Sequence, residues 1–508
     1  MQVVIPMSGA GDRFKKAGYN QPKPLIDVCG KPMIERLLAN FPKDWRFVFI
    51  PSEEHLQTTN IKDVLLSLVP SATIIGIPGH KLGPVYSVLE AKQAILDDMP
   101  TIVNYCDFSF SWNAEHFVEF THQTQCDGAI LCYKGFHPHY LSDNLYAYCR
   151  ETNGQILEVK EKGHFTPDRT QEYASSGTYY FSSGRDVKRY FAQAVQEKMS
   201  TNGEYYVSLV YNALIKDGKR ALIYEIPFFL QWGTPEDLED YVYWHRVFEI
   251  FSKEAPMPDP KNPSLIMPMA GSGMCFQGFD HPKPLIPVLG RSMYETAQQF
   301  LPRSLKPEVL VLQEALRREV DAHSPGATKV VLNAPTAGQA DTTAMALSHV
   351  DPDEPILVSA CDHGLLWDDA AWKRLLAQKP DMIVVGQRGY PGARRKPQHF
   401  SYIDAETDGR IRQVSVKKPF TGRPQTELVL VGTFYVAKAK LLQSGIQELV
   451  QRDIRVNGER YLDSVVTLFI EKGLDVRCFE SSGYLNWGSP DALAEFSYWH
   501  RYFQGVPV

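Results

Sequence analysis

Two glycines, an arginine and a lysine stand just after a short apolar run at the start of the chain. In MQVVIPMSGAGDRFKKAGYNQPKPLI the residues Val3-Val4-Ile5 read as a buried strand, and Gly9-Ala10-Gly11 follow as a tight turn. Backbone N–H groups offered by such a turn at the start of a helix, with Arg13 and Lys23 adding positive charge, suit a phosphate. A carboxylate, Asp107, follows a second apolar run, Thr101 to Asn104. Further strands are predicted at Arg46 to Ile50, Thr73 to Ile77, Gly128 to Cys132 and Ser176 to Phe181. Helical patterns fall near Met33 to Asn40, Val85 to Asp97 and Arg185 to Gln196. This alternation predicts a mainly parallel sheet covered on both faces, with ligands outside the carboxyl ends of its strands, where the glycine turn and Asp107 lie.

The opening stretch recurs as SLIMPMAGSGMCFQGFDHPKPLI at residues 264 to 286. Later landmarks repeat 255 residues apart, as Asp107 and Asp362, Gly83 and Gly338, Trp232-Gly233 and Trp487-Gly488 do. A constant offset over many landmarks implies two copies of one domain, at residues 1–251 and 265–508. Between them, SKEAPMPDPKNPS (252–264) has the prolines and charges of a short extended linker. The aromatic segments Tyr241 to Phe251 and Phe496 to Phe503 read as closing helices, and they leave a homo-oligomer open.

A chain of 508 residues with 44% hydrophobic and 22% charged residues fits a globular protein of two or three domains. A net charge of −6 and a pI near 6.2 provide no general attraction to nucleic acid or anionic membrane, so a phosphate ligand must be held locally. No membrane span and no secretory signal is expected, and eight cysteines without a C-x-x-C pair signal neither disulfides nor zinc. These features point to a cytoplasmic protein.

The motifs PMSGAGDRF, PKPLIDVCGKPMI, Cys106-Asp107, SSGTYYF, NGEYY and WGTPEDL, in this order, resemble nucleotidyltransferases of the sugar-1-phosphate type. They are most similar to the capsule and surface-polysaccharide enzymes, cytidylyltransferase-like members among them. The resemblance covers nearly all of each copy and implies two tandem Rossmann-like (GT-A-like) domains, each a mainly parallel mixed sheet covered by helices. It implies Mg²⁺-dependent transfer of a nucleotidyl group from an NTP, CTP or UTP favoured, to a phosphorylated small molecule, with release of pyrophosphate. Such a transfer needs charge neutralisation and alignment more than covalent help.

By this resemblance Gly9, Ala10 and Gly11 wrap the phosphates, Arg13 holds the leaving pyrophosphate, Lys23 steadies charge at the α-phosphate and Asp107 ligates the metal. Met7, Ser8, Leu82 and Gly83 surround the base. Lys162, with Lys160 as the alternative, takes the acceptor phosphate, and Glu161, Gly177 and Glu204 face the acceptor.

Two departures stand out. Gln231 occupies the place of an aspartate that completes the metal site in many relatives, and Asn486 matches it in the second copy. The second copy also has Met274-Cys275 for Asp12-Arg13 and Val416 for Glu161, which implies a degenerate or regulatory copy. Two other readings are a non-catalytic nucleotide sensor and a glycosyltransferase. The latter commonly uses a D-x-D pair, whereas this chain has Asp107-Phe108-Ser109.

Overall fold

The computed structural model describes residues 1–142, 146–251, 259, 261–304, 306 and 308–505. The chain divides into two compact units, one of Met1–Val242 with Gln504–Val508 and one of Tyr243–Phe503. Of the linker expected at 252–264, residues 252–258 and 260 lie outside the described part.

Apart from a two-stranded ribbon of Asp27–Val28 and Lys31–Pro32, the strands of the first unit are β1 (Gln2–Met7), β2 (Arg46–Pro51), β3 (Thr73–Ile74), β4 (Thr101–Asn104) and β5 (Phe108–Ser111). They continue as β6 (Gly128–Tyr133), β7 (Tyr148–Thr152), β8 (Gln155–Lys160), β9 (Tyr173–Phe181), β10 (Ala221–Glu225) and β11 (Phe228–Gln231). Nine of them form one sheet in the order β3-β2-β1-β4-β9-β6-β10-β8-β7, and β5 pairs with β11 in a separate antiparallel ribbon.

The sheet is less parallel than the sequence pattern implies. The strands β3, β2, β1 and β4 run parallel, as do β6 and β10, but β9 is antiparallel to both β4 and β6, and β7 and β8 form an antiparallel hairpin. The reason is local: Asn153-Gly154, both at positive φ, close that hairpin, and the alternation of apolar runs carries no information on strand direction. Every residue of β1 and of β6 is buried, so these near-continuous apolar runs are central strands covered on both faces.

The helices that bear on the site are α1 (Asp12–Lys16), α2 (Pro84–Glu90), α3 (Gly184–Gln196), α4 (Val207–Lys216) and α5 (Pro235–Phe251). The helix expected at Val85 to Asp97 stops at Glu90 and gives way to a 3-10 turn, Lys92–Ala94. The unit division falls inside α5, because Trp244 and Phe248 pack with Phe496 of the second unit.

The second unit contains β12 (Ser264–Pro268), β13 (Val309–Gln313), β14 (Thr328–Leu332), β15 (Ile356–Ser359), β16 (His363–Leu366) and β17 (Met382–Arg388). Its later strands are β18 (Ser401–Ala405), β19 (Ile411–Ser415), β20 (Leu428–Val436), β21 (Val476–Glu480) and β22 (Gly483–Asn486). Its sheet order is β14-β13-β12-β15-β20-β17-β21, with β18 beside β20 and β16 paired to β22. Strand for strand, the directions match those of β3-β2-β1-β4-β9-β6-β10.

Among the described residues no helix is long and apolar enough to cross a membrane. Among the described residues no disulfide joins any of the eight cysteines.

Candidate active site

A cleft of about 770 Å³ opens in the first unit where β1 and β4, parallel neighbours, present their carboxyl ends. The turn after β1 lines it from Met7 to Gly11. Gly11 sits in the left-handed region at φ 67° and forms the N-cap of α1, a conformation that favours glycine. A Cβ on Gly9 or Gly11 would meet nothing within 4 Å, so this backbone is open to a ligand rather than packed against protein.

Helix α1 is anchored by buried Phe14 and exposes Arg13, which lines the cleft and has neither hydrogen-bond nor ion-pair partner among the described residues. Lys23 is differently placed. Held on a 3-10 turn between Pro22 and Pro24, it donates from Nζ to Asp107 Oδ2 at 2.6 Å and to the Gly233 carbonyl at 2.9 Å. The Cys106 thiol beside Asp107 is pushed up to about 12 by burial and is inert.

On the next wall, Leu82 N–H donates to His80 Nδ1 at 3.1 Å, which leaves Nε2 to carry the proton and donate to Ser87 Oγ at 3.0 Å. Ser87 Oγ is 2.8 Å from Ser8 Oγ. Burial holds the His80 ring below the ordinary histidine pKa, consistent with this neutral tautomer. Gly83, at φ 88°, is glycine for a protein contact: a Cβ there would stand 2.8 Å from the backbone N and O of Tyr205. Leu82 itself is exposed and does not line the cleft; its carbonyl accepts from Tyr205 N.

The remaining wall carries Glu161, Lys162, Gly177 and Glu204. Glu161 accepts from Ser208 Oγ at 2.5 Å, and burial pushes its carboxyl up. Lys162 Nζ donates to Tyr206 OH at 2.6 Å, and the same hydroxyl donates to Glu204. Lys160 turns away, with Nζ bonded to the His164 carbonyl at 3.0 Å and lying over the Phe165 ring. Gly177 has φ 88°, and a Cβ on it would meet the Phe108 ring at 2.7 Å, so there too the missing side chain makes room for protein.

Asp237 lies inside WGTPEDL, where nothing in the sequence marks it as a site residue. It lines the cleft and forms reciprocal cap bonds with Thr234 at the start of α5. Its Oδ1 accepts from Gln231 Nε2 at 2.8 Å, and Gln231 Oε1 accepts from Tyr146 OH at 2.5 Å. Burial pushes Asp237 up to about 6, against the cap bonds that lower it.

The donor set fits a hard cation of the kind that rests on one carboxylate and on substrate phosphates. Asp107 Oδ1 is left free by the pairing of Oδ2, whereas Gln231 and Asp237 satisfy each other. Among the described residues no cluster of three or more His, Cys, Asp or Glu side chains is placed to hold a metal alone.

In the second unit Lys283 Nζ donates to Asp362 Oδ2 at 2.6 Å and to the Gly488 carbonyl at 3.3 Å, the same pairing as in the first. Burial opposes the charge on Asp362, but Lys283 and then His363 outweigh it and hold the carboxyl well below the usual range. Cys275 stands where Arg13 does, with its Sγ 3.6 Å from the Gly488 carbonyl. Val416 replaces Glu161, yet a carboxylate appears at Asp463, the counterpart of Ser208, where it accepts from Ser401 Oγ at 2.5 Å. Ala492 replaces Asp237.

Residues 3–166 match the family model of the MobA-like NTP transferase domain. Among curated proteins, the bifunctional protein GlmU of Staphylococcus epidermidis is 26% identical over 231 residues, 44% of this chain and 47% of that protein. The bifunctional protein GlmU of Desulfotalea psychrophila is 24% identical over 236 residues, 45% of this chain and 64% of that protein. The chain thus spans about half the length of the first of these relatives. Similar solved structures include a nucleoside-diphosphate-sugar pyrophosphorylase from Vibrio cholerae, 22% identical, covering 47% of this chain and 99% of that one with a TM-score of 0.40. Another is the inositol-1-phosphate CTP transferase from T. maritima, 16% identical, covering 48% and 98% with a TM-score of 0.36.

Proposed function

We propose that the first unit is a nucleotidyltransferase that moves a nucleotidyl group from an NTP, CTP or UTP by preference, to a phosphorylated small molecule and releases pyrophosphate. The observation that carries the reading is the division of labour among cations in one cleft. Arg13 has no partner among the described residues beside an open glycine turn, Lys23 is fixed between Asp107 and Gly233, and Lys162 is held by Tyr206. A free guanidinium next to turn N–H groups suits a departing pyrophosphate, which arrives and leaves with each cycle. A lysine locked in place suits a centre where charge builds up during reaction, because it needs no reorganisation. Mg²⁺, held by Asp107, would supply neutralisation of phosphate charge. Its match to the MobA-like NTP transferase model over residues 3–166 supports the same reading.

The second unit is then a duplicated copy that has lost the pyrophosphate clamp. Support comes from the equal strand order, the 255-residue offset, the conserved pairing of Lys283 with Asp362, and Cys275 in the place of Arg13. A thiol gives no charge that could replace a guanidinium. A cytoplasmic role in making activated precursors of surface polysaccharide fits this chemistry.

The test is pyrophosphate release from each of four NTPs with Mg²⁺ and a panel of sugar, polyol, aminoalcohol and amino-acid phosphates. At least one pair should turn over, with the signal abolished by EDTA. Nucleotide binding without turnover on the whole panel would favour a sensor instead.

A further inference from the structure

We propose that Ser176 is a specificity-determining residue of the acceptor site, its hydroxyl bonding a hydroxyl group of the acceptor. The inference rests on the reading of this cleft given above, and it narrows the acceptor to a polyhydroxylated phosphate.

Ser176 lines the cleft at 2% exposure, and its Oγ is buried without a hydrogen-bond partner. Other buried side-chain atoms without partners occur among the described residues, but none belongs to another residue of the cleft. A buried hydroxyl left unpaired opposes folding, so it is retained where something else uses it.

Its placement comes from a bulge in β9. Ser175 pairs with Cys132 of β6 and Tyr179 with Ile130, so four steps along β9 match two along β6. Bulges of this kind break the alternation of a strand and re-aim side chains next to active sites. The two hydroxyls of Ser175-Ser176 then part company. Ser175 Oγ donates to Tyr179 OH at 3.1 Å and accepts from Gly177 N at 3.1 Å, so its one donor is used within the protein.

The second unit provides the control. On β20, Leu430 pairs with Gly386 and Phe434 with Val384, the same step as on β9, and Val431 stands in the place of Ser176. The bulge therefore forms without a hydroxyl, and an aliphatic side chain is accommodated. A fold requirement does not explain Ser176; a ligand does. The Glu161 carboxylate, which lines the same cleft and is held by Ser208, is a second group suited to an acceptor hydroxyl, while Lys162 suits the phosphate.

The experiment compares wild type with Ser176→Ala and Ser176→Val, using glucose 1-phosphate and glycerol 3-phosphate as hydroxylated probes and phosphocholine as a probe without hydroxyls. Thermal unfolding of the free proteins should show no loss of Tm in Ser176→Ala, because the hydroxyl makes no contact there. With the best NTP saturating, wild type should use a hydroxylated probe in preference to phosphocholine. Ser176→Ala should raise the KM of that probe about tenfold and leave the KM of the NTP unchanged. Ser176→Val should do the same or more.

Unchanged acceptor KM in both variants, or a wild type that prefers phosphocholine, overturns the inference while leaving nucleotidyl transfer standing. If no NTP yields pyrophosphate with any acceptor, the underlying reading falls and this inference with it.

Discussion

Lys23 and Asp107 meet at 2.6 Å at the carboxyl ends of β1 and β4, and Lys283 and Asp362 meet at the same distance in the second unit. The pair is thus common to both units, whereas the free guanidinium of Arg13 has no counterpart beside Cys275. Under the proposed function, the shared pair serves binding in both units and the guanidinium of Arg13 serves turnover in the first alone.

Replacing Arg13 by alanine should therefore separate activity from stability. Arg13 is exposed and its side chain has no hydrogen bond or ion pair among the described residues, so the Tm of Arg13→Ala should stay within about 1 °C of wild type, as for surface changes generally. Its kcat for pyrophosphate release should fall about 100-fold or more, the usual effect of losing one group that stabilises developing charge. Full activity in this variant would overturn the assignment of Arg13 to the departing pyrophosphate.

The reverse outcome is expected in the second unit. Asp362→Asn leaves Lys283 facing an amide, and the side chains are only 20% and 24% exposed, so this unit should lose about 1–3 kcal/mol in denaturant unfolding. The pyrophosphate-release rate of the folded enzyme should be unchanged. Because the folded-state pKa of Asp362 is depressed, the stability it contributes is present above about pH 4 and fades as pH falls towards that lower value.

Much of this arrangement is legible in the sequence because it is written in local patterns. The apolar runs of β1 and β6, the glycine turn and the repeated landmarks follow from composition and spacing over a few residues. What is not legible depends on contacts between distant segments. Gly83 appears in a motif as a glycine near a nucleotide, yet its missing Cβ makes room for the Tyr205 backbone. Asp237 lies unmarked inside WGTPEDL, and only the fold brings Gln231 and Tyr146 around it. Ser176 lies in a plain strand pattern, and the bulge that frees its hydroxyl shows only in the pairing of β9 with β6.

Asp237 gives a pH dependence with a defined sign. Its pKa rises from 3.8 to about 6 on burial, so the folded protein binds this proton more tightly than the unfolded chain does. Unfolding then releases a proton between about pH 4 and pH 6, and the carboxyl costs stability as pH rises through that window. Two pKa units correspond to about 3 kcal/mol. Wild type should lose on this order relative to Asp237→Asn between pH 4 and pH 6.5 in urea unfolding, since all other groups titrate in both proteins. A difference that stays flat across the window would show that the carboxyl titrates normally in the fold.

Lys160 and Lys162 are two residues apart, and in a continuous strand both would point the same way. The strand β8 ends at Lys160, and Lys162 takes a positive φ of 53°, which turns the chain and sends the two side chains apart. Lys162 reaches the cleft and Tyr206; Lys160 covers Phe165 outside it. Lys162→Ala should raise the KM of the phosphorylated acceptor at least tenfold, because it removes a charge-assisted contact to phosphate. Lys160→Ala should change that KM less than about twofold, as expected of an exposed cation away from the ligand. Steady-state rates with the acceptor varied and the NTP saturating decide the matter, and equal losses in the two variants would count against the assignment of Lys162.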